Sequence, residues 1–185
     1  VLKGPGAVVF GSNALYGIIN VVTRSVDATP SQVRVEGGSR DYYRVSASGA
    51  VGSGIALSAQ TSQYGGYQDA SGYDQQKATL RFDGTQGDWS MTGVISASNL
   101  NQDTAGYIQD GKGAYKSDAA RRVNRNPDAY RDASSMRAHL KLERELGQHT
   151  LRITPYLRSN EMEFLQHYFP WQSREMNEHS SVGVQ

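Results

Sequence analysis

Hydrophobic and polar residues alternate along most of the chain after residue 31, with the period of two that is typical of β-strands. Runs with this alternation cover 33–36, 43–49, 55–62, 78–83, 89–98, 136–143, 151–158 and 180–185. In each run, one set of side chains is mostly aliphatic or aromatic and the other is mostly charged or hydroxylated. The sequence therefore predicts eight strands, each with one apolar and one polar face.

The predicted connections between these strands differ in length in a regular way. Short turns at 50–54, 84–88 and 145–149 alternate with connections at 37–41, 64–76, 99–134 and 159–179, of which the last three are long. A soluble antiparallel sheet can show the same alternation of side chains, but compact soluble domains rarely contain such long loops. Short turns at one end and long loops at the other are typical of transmembrane β-barrels.

Residues 1–24 follow a different, glycine-rich pattern, in which short apolar runs are separated by glycines and end in a β-branched stretch. The residues that define this motif are Gly4, Pro5, Gly6, Gly11, Asn13, Gly17 and Asn20. A dinucleotide-binding fingerprint would need glycine where Val9 stands, and a P-loop would need lysine where Ser12 follows Gly11. Neither type of nucleotide site is therefore expected.

The same stretch closely resembles the end of the plug domain of TonB-dependent outer-membrane receptors. In that family a GPG turn, a G-S-N-A-L-x-G segment and an I-N-V-V-T strand lead into the barrel, and all three are present here. The resemblance implies an all-β chain: the C-terminal part of a plug domain (1–24), a linker (25–31) and the N-terminal part of a transmembrane antiparallel β-barrel (32–185). That part would comprise roughly eight of 22 strands. No signal peptide is visible, and we expect an internal fragment of a longer protein.

The resemblance also implies a function and a location. Receptors of this family lie in the bacterial outer membrane, bind a scarce nutrient outside and import it with energy from the TonB complex. A ferric siderophore is the ligand expected here, and cobalamin, haem, copper complexes and glycans are alternatives that the family skeleton also accommodates. A structural or adhesive β-protein without transport is the alternative of another class.

Composition narrows the possible functions further. The chain has 185 residues and a net charge of +1, so it lacks the basic bias of a nucleic-acid-binding protein. It contains no cysteine, which excludes disulfides and thiol chemistry. Neither a G-x-S-x-G elbow nor an H-E-x-x-H motif occurs. We therefore expect no enzymatic activity and no cofactor.

The long connection before the sixth predicted strand is the first candidate for ligand binding. Between Lys112 and Arg131 six cationic residues stand against two aspartates. The candidate residues are Tyr107, Tyr115, Arg121, Arg122, Arg125, Tyr130 and Arg131. Arginine binds carboxylates and phosphates with paired hydrogen bonds, so we expect an anionic metal chelate, lipopolysaccharide phosphates, or simply solvent at this loop. Residues 119–122 are predicted to form a short helix.

The next long connection is aromatic and supplies the remaining candidates, His167, Tyr168 and Trp171. They are expected either to fold over a ligand or to pack on another loop. His167 and His179, with Met162 and Met176, are ligand types for a soft metal, but their spacing fits no compact site and no metal is expected. On the polar face Arg34, Arg44, Arg81, Arg137 and Arg152 are candidates to pair with plug carboxylates or to line the transport path.

Overall fold

The computed structural model describes residues 2–3, 17–18, 21–108, 111–165 and 173–185, which are mostly β-strand. The strands are β1 (Leu2–Lys3), β2 (Gly17–Ile18), β3 (Gln32–Gly37), β4 (Tyr43–Ala50), β5 (Ile55–Tyr64), β6 (Gly72–Gln86), β7 (Trp89–Asp103), β8 (Tyr130–Leu146), β9 (His149–Ile153), β10 (Pro155–Leu165) and β11 (Arg174–Val184). A 3₁₀-helix (Gly111–Lys116) and helix α1 (Asp118–Arg122) lie between β7 and β8. The predicted all-β class is confirmed.

The strands form an open antiparallel meander. Its order is β11-β10-β8-β7-β6-β5-β4-β3, with β9 paired to β8, while β1 and β2 form a separate two-stranded ribbon. Each strand of the meander therefore pairs with its neighbours in sequence, as the alternating pattern of short turns and long loops requires.

Strands β9 and β10 act as one long strand, so the nine strands of the sheet correspond to the eight predicted. Ile153 pairs with Leu142 and Tyr156 pairs with His139, which is the same register on both sides of the break. Pro155 has no N–H to give to the ladder. Thr154 exchanges backbone hydrogen bonds of 2.8 and 3.1 Å with Gln185, which keeps the break aligned with β11.

The strands extend further toward the long loops than predicted. The predicted loops 64–76 and 99–134 were wrong at their ends, because the connections are only 65–71 and 104–129. The reason is that both faces of the sheet carry polar side chains here, such as Gln75, Gln76 and Asn99, so that apolar and polar residues no longer alternate. Backbone pairing nevertheless continues to Gly72 opposite Asp103. Likewise, β10 continues to residue 165 and β11 begins at 174.

One face of the meander carries a belt of exposed and half-buried apolar side chains. This apolar belt consists of Val33, Val45, Leu57, Leu80, Phe82, Met91, Ile95, Met136, Leu140, Leu157 and Val182. Ile95 is 45% exposed and Val182 is 85% exposed. A contiguous patch of this kind marks a surface that is covered by another molecule or by lipid.

The connections separate into two ends of the sheet. The short-turn end has the turns 51–54, 87–88 and 147–148, and the long-loop end has the connections 38–42, 65–71 and 104–129. None of the helices within the described ranges is long or apolar enough to cross a membrane. The buried positions are few, so backbone pairing rather than a central core organises the fold.

Candidate functional site on the polar face and at the long-loop end

The chain segment that precedes the sheet is held against its polar face by two charged residues of β6. Asp83 accepts a hydrogen bond from the backbone N–H of Val26 at 2.8 Å. Arg81 donates from Nη1 to the carbonyl oxygen of Thr23 at 3.0 Å and to its hydroxyl. These hydrogen bonds join residues that are far apart in the sequence, by 57 positions for Val26 and Asp83 and by 58 positions for Thr23 and Arg81.

The period of two along β6 is what brings these charges together. Arg81 and Asp83 are two residues apart and therefore lie on the same face. The Arg81 Nε–H lies 2.9 Å from Asp83 Oδ2, and the Thr92 hydroxyl of the neighbouring strand donates to Asp83 Oδ1 at 3.1 Å. We call this group, Arg81, Asp83 and Thr92 with Thr23 and Val26, the polar-face anchor.

Burial around the anchor shows that the segment covers this part of the sheet. Val26 is only 3% exposed. Ala56 and Val94, the ladder partners of Arg81 on its two sides, are buried although their face is otherwise polar. Further along the segment, the Ser48 hydroxyl donates to the carbonyl oxygen of Pro30 at 3.0 Å. The segment therefore lies along the polar face.

Carboxylates of the sheet itself pair with most of the polar-face arginines predicted to meet plug carboxylates. The pairs are Arg34–Glu36 (3.9 Å), Arg44–Glu36 (3.3 Å), Arg81–Asp83 (2.8 Å) and Arg152–Glu143 (2.6 Å). Arg137 is different, because it has no ion-pair or hydrogen-bond partner within the described ranges. These four pairs hold charged side chains along the polar face of the sheet, whereas Arg137 has no such carboxylate partner there.

At the long-loop end, the connections 65–71 and 104–129 are clamped together. The Gln68 side-chain amide donates to the carbonyl oxygens of Val123 at 3.1 Å and Gly106 at 3.4 Å. The Asp69 N–H donates to the carbonyl oxygen of Arg122 at 2.7 Å. These contacts join segments more than 35 residues apart, so the two loops form one layer.

The connection 38–42 joins the same layer. The guanidinium of Arg40 lies 4.7 Å from the ring centroid of Tyr67, and the Gly65 N–H donates to the Arg40 carbonyl oxygen at 2.8 Å. Arg40 and Asp41 have positive φ angles of 61° and 56°, a conformation that suits a tight turn. We call the three joined connections the loop layer.

The predicted short helix in this layer is confirmed as α1. Ser117 caps it by accepting a hydrogen bond from the Ala120 N–H at 3.3 Å. Arg121 forms an ion pair with Asp118 within the helix. Nη2 of Arg122 lies 3.7 Å from Oδ1 of Asp69. Two of the candidate arginines thus contribute to the cohesion of the loop layer.

Tyr130 and Arg131 were predicted in a loop, but both belong to β8 and lie on opposite faces of the sheet. The Tyr130 hydroxyl donates to Glu163, and Arg174 forms an ion pair with the same carboxylate. Arg174 and Tyr130 lower the pKa of Glu163, and the hydrogen bond to Glu163 raises the pKa of Tyr130. Because Tyr130 and Arg131 lie on opposite faces of the sheet, they cannot bind one ligand together.

The other candidates are dispersed. Tyr107 is 75% exposed, and Arg125 follows α1 in the same loop. Met162 and His179 lie on the polar face, whereas Met176 lies on the opposite face of β11. Tyr115 belongs to the 3₁₀-helix. Outside the described residues lie His167, Tyr168, Trp171, Gly4, Pro5, Gly6, Gly11, Asn13 and Asn20, while Gly17 pairs with Lys3.

A depression of about 670 Å³ opens at the long-loop end, beyond the apolar belt. Its acidic lining residues are Asp74, Asp103, Asp128, Asp132 and Glu163. Within the described ranges, no three acidic, histidine or cysteine residues are placed to hold a metal ion. The depression is thus opposite in charge to the cation-rich sequence of the adjoining loop.

Sequence reasoning missed Asp83, Gln68 and Glu163, which hold the anchor, the loop layer and the end of β10. Only Asp83 had a local signal, since it stands two residues after Arg81 on a period-two strand. The chain matches no protein-family model and no curated protein sequence.

Proposed function

We propose that this protein is a TonB-dependent outer-membrane receptor that binds and imports a ferric siderophore. The polar face would line the lumen of a transmembrane barrel, and the apolar belt would face lipid. The glycine-rich motif of residues 1–24 supports the plug assignment.

The observation that carries the proposal is the position of the segment that follows this motif. A plug inside a barrel must enter the lumen, so the chain that connects the two has to run along the polar wall. Thr23 and Val26 are bound to that wall by Arg81 and Asp83, on the face opposite the apolar belt. An adhesive β-protein without a plug has no need of this arrangement.

The size of the apolar belt supports a membrane boundary. On β7 the apolar-face residues run from Trp89 to Ala97, so the belt spans nine residues of this strand. A tilted transmembrane β-strand needs about 9–11 residues to cross a bilayer. Beyond Ala97 the same face carries Asn99, Asn101 and Asp103, so the strand continues as a polar wall.

The division of the molecule gives each part a role in transport. The loop layer would meet the ligand outside, and Arg122 and Arg125 would meet either an anionic chelate or lipopolysaccharide phosphates. A wide barrel has an aqueous lumen that a plug must close. Because tight binding makes ligand release slow, coupling to the TonB complex would supply the work that moves the plug.

Neighbouring residues of β6 test the membrane assignment. Leu80 belongs to the apolar belt and Thr79 to the polar face. We expect Leu80→Arg to cost about 2–4 kcal/mol near the bilayer midplane and to reduce assembly of the protein in outer membranes. The matched Thr79→Arg should assemble normally, as judged by heat-modifiable electrophoretic mobility. Equal assembly of the two variants would contradict the barrel.

Uptake of radioactive iron tests the transport function. Cells that express the complete open reading frame should accumulate ferric siderophore under iron limitation, and deletion of TonB should abolish this uptake. Uptake of cobalamin, haem, copper or a glycan instead would retain the receptor and change its ligand. Cell adhesion without TonB-dependent uptake of any of these would favour the adhesive alternative.

A further inference from the structure

A band free of carboxylates crosses the middle of the polar face. Gln75, Lys77, Thr79 and Arg81 of β6 each belong to a row of polar-face positions that are joined across the sheet by ladder pairing. On β4 to β11 these four rows include no aspartate or glutamate. The same positions carry five cationic side chains, Arg44, Lys77, Arg81, Arg137 and Arg158. With a net charge of only +1 for the whole chain, this segregation is not a result of composition.

Three of these cations lack a carboxylate partner. Arg44 pairs with Glu36, its ladder partner on the edge strand β3, and Arg81 pairs with Asp83, which lies two residues beyond it on β6. Within the described ranges Lys77 and Arg137 have no hydrogen-bond or ion-pair partner, and Arg158 contacts only the imidazole of His179. We call Lys77, Arg137 and Arg158 the cationic band.

Arg137 and Arg158 are direct partners in the β8–β10 ladder, with Cα atoms about 5 Å apart. Like charges directly opposite each other destabilise a sheet. Arg158 Nη2 lies 2.7 Å from His179 Nε2. Neither side chain of this contact carries a negative charge, so the contact does not offset the repulsion between Arg137 and Arg158.

The amino-terminal segment of this chain cannot supply that charge. Residues 1–31 contain one acidic residue, Asp27. Asp27 is exposed beside Val26, which is fixed at the polar-face anchor, and it forms no ion pair within the described ranges. Neither the described strands nor the segment 21–31 therefore supplies a carboxylate partner for the cationic band.

We propose that Arg137 and Arg158, with Lys77, form a binding subsite for a small oxyanion-bearing ligand, of which a carboxylate chelate of iron is the class to test. This inference rests on the proposed function and specifies its substrate class. Two guanidinium groups side by side offer paired hydrogen bonds to carboxylate oxygens. A wall lined by charge of one sign also concentrates such a ligand.

Equilibrium binding of two radioactive iron chelates to the purified full-length protein tests the proposal. Ferric citrate carries carboxylates and negative charge, whereas ferrichrome is an uncharged hydroxamate chelate. We expect ferric citrate to bind, and Arg137→Gln or Arg158→Gln to weaken its binding about tenfold each, the effect of losing a hydrogen bond between charged groups. The control Arg144→Gln removes an equal charge on the opposite face, next to Asp88, and should bind as the wild type does.

Competition and stability separate the remaining explanations. Excess iron-free citrate should displace ferric citrate, while displacement by inorganic phosphate alone would overturn the carboxylate assignment. Each Gln variant should keep its thermal stability, because it removes repulsion. A loss of stability with unchanged binding would mean that the pair meets carboxylates of the protein, and would overturn the proposal. Binding of ferrichrome alone, or of neither chelate, would overturn the proposed subsite. TonB-dependent uptake of any of the other ligands named above would then still retain the receptor.

Discussion

Replacing Asp83 with asparagine should release the amino-terminal segment from the sheet. The carboxylate accepts from the Val26 N–H at 2.8 Å, the Thr92 hydroxyl at 3.1 Å and Arg81. In Asp83→Asn the charge is lost and the new NH₂ group faces one of these donors. A hydrogen bond to a charged group contributes about 1.5–3 kcal/mol, so we expect docking to weaken by about 2 kcal/mol, or roughly 30-fold in its equilibrium constant.

Limited trypsin digestion measures this change, because Arg24 lies within the docked segment. When opening is fast relative to cleavage, the cleavage rate follows the open population. The peptide that begins at Ser25 should therefore appear roughly 30-fold faster in Asp83→Asn than in the wild type. The control Asp88→Asn removes a charge from a pair with Arg144, in which Asp88 is 73% exposed, and should change the rate little. Equal cleavage at Arg24 in the wild type and Asp83→Asn would refute the anchor.

Three further predictions concern the turn at residue 54, the loop layer and the end of β10. Gly54→Ala should destabilise the protein more than Gly87→Ala, as measured by urea unfolding. Both glycines have positive φ, but a Cβ at 54 would lie 2.5 Å from the Asp83 carbonyl oxygen, whereas one at 87 meets open space. Equal losses of stability in the two variants would contradict this. Gln68→Ala should speed tryptic cleavage in 104–129 more than Asp69→Ala, because Gln68 donates to two carbonyl oxygens whereas Asp69 and Arg122 are each 65% exposed; the reverse order would reject the clamp. Because the pKa of Glu163 is lowered, its ionised carboxylate stabilises the β10–β11 pairing at pH values above the ordinary pKa of 4.5. This contribution is lost as the pH falls through the lowered pKa. Hydrogen exchange at these strand ends should therefore show an acid transition that Glu163→Gln abolishes; persistence of the transition would assign it to another group.

The sequence predicted the strands well because side-chain alternation and backbone pairing coincide in the apolar belt. Leu80 lies between Thr79 and Arg81, and both Leu80 and Ile95 lie on the predicted apolar face. Beyond the belt the pattern ends while the backbone ladder continues, as at Gln76 opposite Asn99. Strand ends with two polar faces therefore looked like loops.

The candidate site was harder to predict, because its decisive contacts join distant residues. Gln68 contacts Val123 across 55 positions, and Tyr130 contacts Glu163 across 33. Charge counting found the basic loop, but it did not show that Arg121 pairs with Asp118 in the same helix and Arg122 with Asp69 of another connection. Which cations remain unpaired depends on the register of the sheet, as for Arg137 opposite Arg158.

The continuation of β6, β7 and β8 past the apolar belt limits the conformational freedom of the loop layer. These strands have 15, 15 and 17 residues, whereas about 9–11 suffice to cross a bilayer. The loop layer therefore rests on a rigid, hydrogen-bonded stalk rather than on flexible tethers. Groups held in place before a ligand arrives lose less conformational freedom when it binds. If the protein is the receptor proposed above, the extra strand length would preorganise the loop layer for ligand capture.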